Sequence, residues 1–155
     1  MSSGLILNVS FGILAFMPQG WVFMILIMLL ESFIVSEFLC KRKFTSKITA
    51  SVFCSNFISG LLGIIITLII NGGWILVVWF PWVSSHEIDL SAPHALVGFI
   101  VFYLVAFVLS VLIELLINNI MLGKKYPFVK ILRATLLANI ASYLLGSIVF
   151  YSFSF

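Results

Sequence analysis

Apolar positions along this chain gather into long runs, separated by short polar interruptions, and the runs are too long and too uniformly apolar for the elements of a water-soluble domain. Four of them, at 21–40, 48–70, 96–121 and 131–152, are each long enough as helix to cross about 30 Å of hydrocarbon. Stretches such as "GLLGIIITLII" lack the alternating polar face of a barrel strand lining an aqueous lumen, which leaves helix as the spanning state. The expected fold is all-α: an integral membrane protein of four transmembrane helices, forming one membrane domain over residues 1–155. Two shorter apolar stretches flank these runs. "GLILNVSFGILAFMPQG" has no basic start and no small-x-small cleavage site, so it reads as an N-terminal interfacial helix rather than a signal peptide. "WILVVWFPWV" is too short to span and is interrupted by Pro81, so it reads as a re-entrant or interfacial segment, or an extension of the second helix, on the outer face.

Composition strengthens this reading: 63% of residues are apolar, 8% are charged, and the mean hydropathy is +1.30. Charge then adds an orientation. All eight basic residues fall in or beside two short stretches, Lys41, Arg42, Lys43 and Lys47 in the first and Lys124, Lys125, Lys130 and Arg133 in the second. Short positive loops stay cytoplasmic, so both hairpin loops are expected inside a plasma (inner) membrane, with both termini and the 71–95 connection outside. Trp21, Trp74, Trp79 and Trp82 then fall at the outer interface, where indoles favour the headgroup level. Topology and anionic headgroups account for the basic charge, and no nucleic-acid partner is implied.

The polar interruptions repeat. Aligned without a gap, residues 31–63 and 114–146 share 11 identities in 33 positions, among them Glu31/Glu114, Lys41/Lys124, Lys47/Lys130, Asn56/Asn139, Ser59/Ser142 and Gly63/Gly146. Shared leucines and isoleucines mean little between membrane helices, but Glu and Asn are scarce here and recur in step. The expectation is a tandem duplication of a helix hairpin, with repeat 1 at about 21–70 and repeat 2 at about 96–152. Both copies insert the same way round, so they should be parallel repeats about a pseudo-two-fold axis along the membrane normal.

Depth turns the repeat into candidate chemistry. Glu31 precedes Lys41, and Glu114 precedes Lys124, by ten residues, which is about 15 Å of helix and places each carboxyl near the bilayer midplane. Asn56 and Asn139 each follow a lysine by nine residues, so each Asn should lie level with its Glu, with Ser59 and Ser142 one turn further along. Two readings follow. In one, the pairs are polar glue that fixes helix register. In the other, the two carboxyls face one another across the pseudo-two-fold axis and bind a proton or cation, since intramembrane acids are costly and commonly functional.

The remaining polar residues add less. Glu37 reads as an interfacial acid near Lys41, and Asn118 and Asn119 as interhelix hydrogen-bonding groups of the second copy alone. His86, Asp89 and His94 are zinc-type donors in the outer loop, but their spacing matches no ligand signature, so no metal or other cofactor is expected. Cys40 and Cys54 read as unpaired packing residues. There is no phosphate-cradling glycine loop, no His-Glu-x-x-His and no nucleophile elbow, so the chain is not expected to be an enzyme.

The run "LLESFIVSEFLCKRKFTSKITASVFCSNFISGLLG", about residues 28–66, resembles the core of the cyanobacterial filament integrity protein family. The shared pattern is an acid in an apolar helix (Glu31), a basic turn (Lys41 to Lys47), and a helix with Asn56 and Ser59 leading to Gly63. The resemblance implies a small scaffold or assembly subunit concerned with cell–cell junctions in filaments, working with lipids and with other integral membrane proteins or copies of itself. Two further classes stand beside it: a proton- or cation-coupled transporter or channel built on Glu31 and Glu114, and an integral subunit of a larger energy-converting complex.

Overall fold

The structure, a computed structural model, describes residues 18–70 and 93–152. They form four helices: α1 (Pro18–Cys40), α2 (Ser46–Ile70), α3 (Pro93–Leu122) and α4 (Phe128–Ser152), with no strand among the described residues. The N-terminal segment, the 71–92 connection, Trp74, Trp79, Trp82, His86 and Asp89 lie outside the described residues.

Local chemistry sets the helix ends. Pro18 and Pro93 occupy first helical positions, where a missing N–H costs nothing. Thr45 precedes α2, and its carbonyl accepts the Thr49 amide at 2.9 Å. The chain leaves α1 through Lys41, whose φ of 56° is left-handed and whose N–H bonds the Glu37 carbonyl at 3.0 Å. It leaves α3 through Gly123, whose N–H bonds the Asn119 carbonyl at 2.8 Å, and Pro127 starts α4 by accepting the Lys130 and Ile131 amides. Gly123 is required by close approach, because a Cβ there would stand 2.4 Å from the Asn119 carbonyl oxygen.

Among the described residues, three stretches are long and apolar enough to cross a membrane: Val22–Cys40, Tyr103–Leu122 and Phe128–Ile148. Helix α2 also has 25 residues, with Lys47, Thr49, Ser51, Ser55, Asn56 and Ser59 in its first half and a nearly unbroken apolar run in its second. Ser51, Ser55 and Ser59 are buried within the bundle.

Helix α1 packs on α2 and α4, and α3 packs on the same two, so the four close into a ring. Its burial is the reverse of a soluble bundle. The outside carries large apolar side chains, among them Val22, Ile25, Phe57, Leu112, Leu116 and Ile148. Buried inside are Glu31, Ser32, Ser36, Ser51, Ser55, Glu114, Asn118, Thr135 and Asn139. That is packing for lipid: hydrocarbon solvates the exterior, while small and polar side chains draw the helices together. Nearest the two loops the core also holds an apolar cluster of Val35, Leu39, Ile48, Val52, Leu122, Ile131, Ala134 and Ala138. Further from the loops than Met28, Ser59, Val111 and Ser142, no described side chain is buried.

Gly123→Ala should lower stability by more than about 1 kcal/mol, because the Asn119 carbonyl must move to admit the methyl group. Gly63→Ala, where an added Cβ meets nothing within 4 Å, should be neutral or stabilising. Thermal unfolding in detergent compares the two.

Candidate functional site

The interior polar residues recur at four-residue spacing, which keeps each set on one face of its helix: Ser51, Ser55 and Ser59 on α2, Ser110, Glu114 and Asn118 on α3, Thr135, Asn139 and Tyr143 on α4. Facing stripes meet in layers.

The middle layer contains the carboxyls. Asn56 Nδ2 donates to Glu31 Oε2 at 2.6 Å and to the Val52 carbonyl at 3.1 Å. Asn139 Nδ2 donates to Glu114 Oε2 at 2.7 Å and to the Thr135 carbonyl at 3.1 Å. Each Asn is thus anchored to its own helix four residues back and directed at the acid of the preceding helix. Both acids are almost fully buried, with Glu31 2% and Glu114 4% exposed. The two carboxyls lie close enough to act on one another, and Ser142 stands near the Glu31 carboxyl. The two serines differ in their bonds: Ser142 Oγ donates to the Asn139 carbonyl at 3.0 Å, whereas Ser59 Oγ donates across to Ser110 Oγ at 3.4 Å.

Towards the loops, one layer ties three helices together. Ser51 Oγ donates to Asn118 Oδ1 at 2.7 Å, and Asn118 Nδ2 donates to Thr135 Oγ1 at 3.2 Å. Asn118 therefore bonds between helices as its sequence implied, while Asn119 serves through its backbone carbonyl at the end of α3. Nearer the first loop, Cys40 Sγ bonds the Ser36 carbonyl at 3.1 Å, and Thr45 Oγ1 donates to Ser36 Oγ at 3.3 Å. Cys54 is exposed rather than packed, and both cysteines are free.

On the far side of the carboxyls lies a layer of hydroxyls. The Ser110 hydroxyl and the Tyr143 phenol share a hydrogen bond of 2.9 Å. The Tyr103 phenol donates to the Tyr143 carbonyl at 2.7 Å, and Ser147 Oγ donates to the Tyr103 oxygen at 3.1 Å. The Tyr143 ring is held edge-on by Tyr103 and Phe107, each with centroids 5.1 Å away. The position aligned with Tyr143 in the first copy is Gly60, where an added Cβ would lie 3.9 Å from Met24 Cε.

Among the described residues, two buried side-chain atoms have no partner: Ser32 Oγ and Asn139 Oδ1. An unanswered amide oxygen beside a carboxyl pair is an acceptor awaiting a donor or a cation. The donor set of carboxylates, an amide oxygen and hydroxyls is all oxygen, which suits a proton or a hard cation. The basic residues Lys41, Arg42, Lys43, Lys47, Lys124, Lys125, Lys130 and Arg133 are all exposed near the loops, with Lys125 Nζ 5.3 Å from the Tyr126 ring centre, and none is buried with the carboxyls. Among the described residues no group of three metal-type donors forms, and His94 falls in the first turn of α3.

Sequence reasoning found Glu31, Asn56, Glu114 and Asn139, but it missed Ser51, Thr135, Ser110 and Tyr143. The four-residue stripes carried the missing signal. Compared with family models, with curated proteins and with solved structures, the chain matches none.

Asn118→Ala should cost about 1–3 kcal/mol, because it strands the Ser51 and Thr135 hydroxyls in the core. In the double-mutant cycle with Ser51→Ala, the coupling should fall near 0.6 kcal/mol and below about 1.7, the range for hydrogen bonds between membrane helices. Unfolding in mixed micelles measures both.

Proposed function

We propose that this chain is a membrane protein of four spans in which Glu31 and Glu114 together bind a proton or cation, and that it works by coupling that ligand to transport or to a conformational change. The observation carrying this reading is that two acids from separate halves of the chain share one buried core with no basic side chain beside them. Two carboxylates in low dielectric repel one another and lack water, so a proton or cation must accompany them. Register alone does not require this: glutamine would bond Asn56 and Asn139 equally well and carries no charge.

In this reading α2 is the fourth span, its polar side chains answered inside the bundle. The halves are parallel hairpin repeats about an axis along the membrane normal. Three features support that arrangement: the matched Glu–Asn bonds, the Ser51–Asn118 bond joining the loop-proximal turns of α2 and α3, and the aligned polar residues. The basic loops then lie on the cytoplasmic side of the plasma membrane.

A second reading, favoured by a different observation, is a scaffold or assembly subunit as in the filament integrity resemblance. Interhelix bonds such as Asn56–Glu31, Ser51–Asn118 and Asn139–Glu114 occupy the polar groups in holding helices together, while the exposed apolar faces meet lipid, other membrane proteins or a second copy. That role asks for no ligand at the carboxyls.

Flux in proteoliposomes separates the two. The wild-type chain should carry protons or a monovalent cation, and Glu31→Gln/Glu114→Gln should lose at least ten-fold of that flux while retaining its helical circular dichroism. Absence of flux in the folded wild type would leave the scaffold reading. For topology, single cysteines placed at Arg42 or Lys125 in a background free of Cys40 and Cys54 should react with an impermeant maleimide only from the cytoplasmic side; labelling from outside would reverse the orientation.

A further inference from the structure

Resting on the proposed carboxyl site, we infer that its ligand is a proton, and that it is exchanged with the end of the bundle opposite the basic loops through the hydroxyls of Ser110 and Tyr143. The two ends of the core differ in what they offer a proton. Towards the loops, the carboxyl layer is followed by the Ser51–Asn118–Thr135 layer and by the buried apolar cluster around Val35, Leu39, Ile48, Leu122 and Ile131. Asn118 occupies the centre of that layer, and an amide holds its hydrogens far too tightly to pass them on. The apolar residues beyond it supply no donor or acceptor. Near the first loop the Ser36 and Thr45 hydroxyls bond one another. Among the described residues no hydrogen bond links that pair to the carboxyl layer, since Ser32 Oγ between the two has no partner.

Away from the loops the chemistry changes. Ser59, Ser110 and Tyr143 place three hydroxyls from α2, α3 and α4 in one bonded chain, with links of 3.4 and 2.9 Å. A hydroxyl is donor and acceptor at once, so it takes a proton on one side and releases one on the other. Ser110 stands one turn from Glu114 on the same face of α3, and Tyr143 follows Ser142, the residue that stands near Glu31. Among the described residues, no direct hydrogen bond joins Tyr143 to a carboxyl, so one water or one carboxyl rotation completes the path. Beyond the hydroxyl layer, Tyr103 and Ser147 continue the polar lining to a region where no described side chain is buried.

These contacts also decide which ligand passes. A hydrated ion would have to break these hydroxyl–hydroxyl bonds to pass, whereas a proton crosses by rearranging them. The step is a simple relay: a proton delivered by water to the Ser110 oxygen arrives as the Ser110 O–H proton passes to the Tyr143 oxygen and the Tyr143 O–H proton leaves towards the carboxyl, after which the hydroxyls turn back to reset.

The full-length chain in proteoliposomes tests this, with flux followed by a trapped pH dye and by sodium- and potassium-selective dyes. Tyr143→Phe keeps the ring between Tyr103 and Phe107, and Ser110→Ala removes one hydroxyl. Each should lower proton flux at least ten-fold, and Ser110→Thr should restore it, which lost packing alone does not explain. Thr135→Val and Ser51→Ala, on the loop side, should keep proton flux within two-fold of wild type once folding is matched by circular dichroism. Full proton flux in folded Tyr143→Phe, or equal loss in the loop-side variants, would overturn the route while leaving the carboxyl site standing. Sodium or potassium flux that depends on the glutamates would overturn the proton as ligand. No flux of any ion in the wild type would remove the site itself, and the route with it.

Discussion

In hydrocarbon a polar group finds no water, so each one carried into a membrane must be answered by another from the protein. That requirement organises this bundle. Each Asn uses its amide nitrogen twice, once on its own helix and once on a neighbouring acid, and Asn118 bonds on both sides. Helix contacts follow from those pairings rather than from apolar attraction, because the leucines and valines on the outside are as well solvated by lipid as by one another. The serines serve both needs, being small enough for close approach and polar enough to bond.

How much of this was legible in the sequence depended on the kind of signal. Helices and loops were readable because span length and basic clusters are one-dimensional quantities, and the ends at Cys40 and Leu122 fall at or within a residue of the apolar runs. Glu31–Asn56 and Glu114–Asn139 were readable because matched distances from a loop give matched depth. The α2–α3 and α1–α4 contacts were not, since a polar stripe shows which face of a helix turns inward but not which neighbouring helix it meets. Ser59 and Ser142 show the same limit: they align in sequence, yet one bonds Ser110 and the other its own helix. Which groove a serine enters depends on the neighbouring helix, and depth alone does not specify the neighbour. Tyr143 was hidden differently, because one aromatic in a chain rich in aromatics attracts no notice until its hydroxyl is seen beside Ser110.

The core is graded along its length. Near the loops it is mainly an apolar cluster with the Ser36–Thr45 pair beside it, at the middle it holds acids, and beyond them it is lined with hydroxyls. A bundle that needed only to stand upright gains nothing from this grading. One that takes up a ligand from a single side needs a seal beneath its binding groups and a polar entrance above them.

The pairing of Gly60 with Tyr143 has an evolutionary consequence. Two separate copies of one hairpin, meeting as a symmetric dimer, would have to present the same residue at both places: either two phenols crowded about the axis or none. Joining the hairpins in a single polypeptide removes that obligation. With Gly60 in one half and Tyr143 in the other, the two acids stand in unequal surroundings, each open to tuning without altering the other.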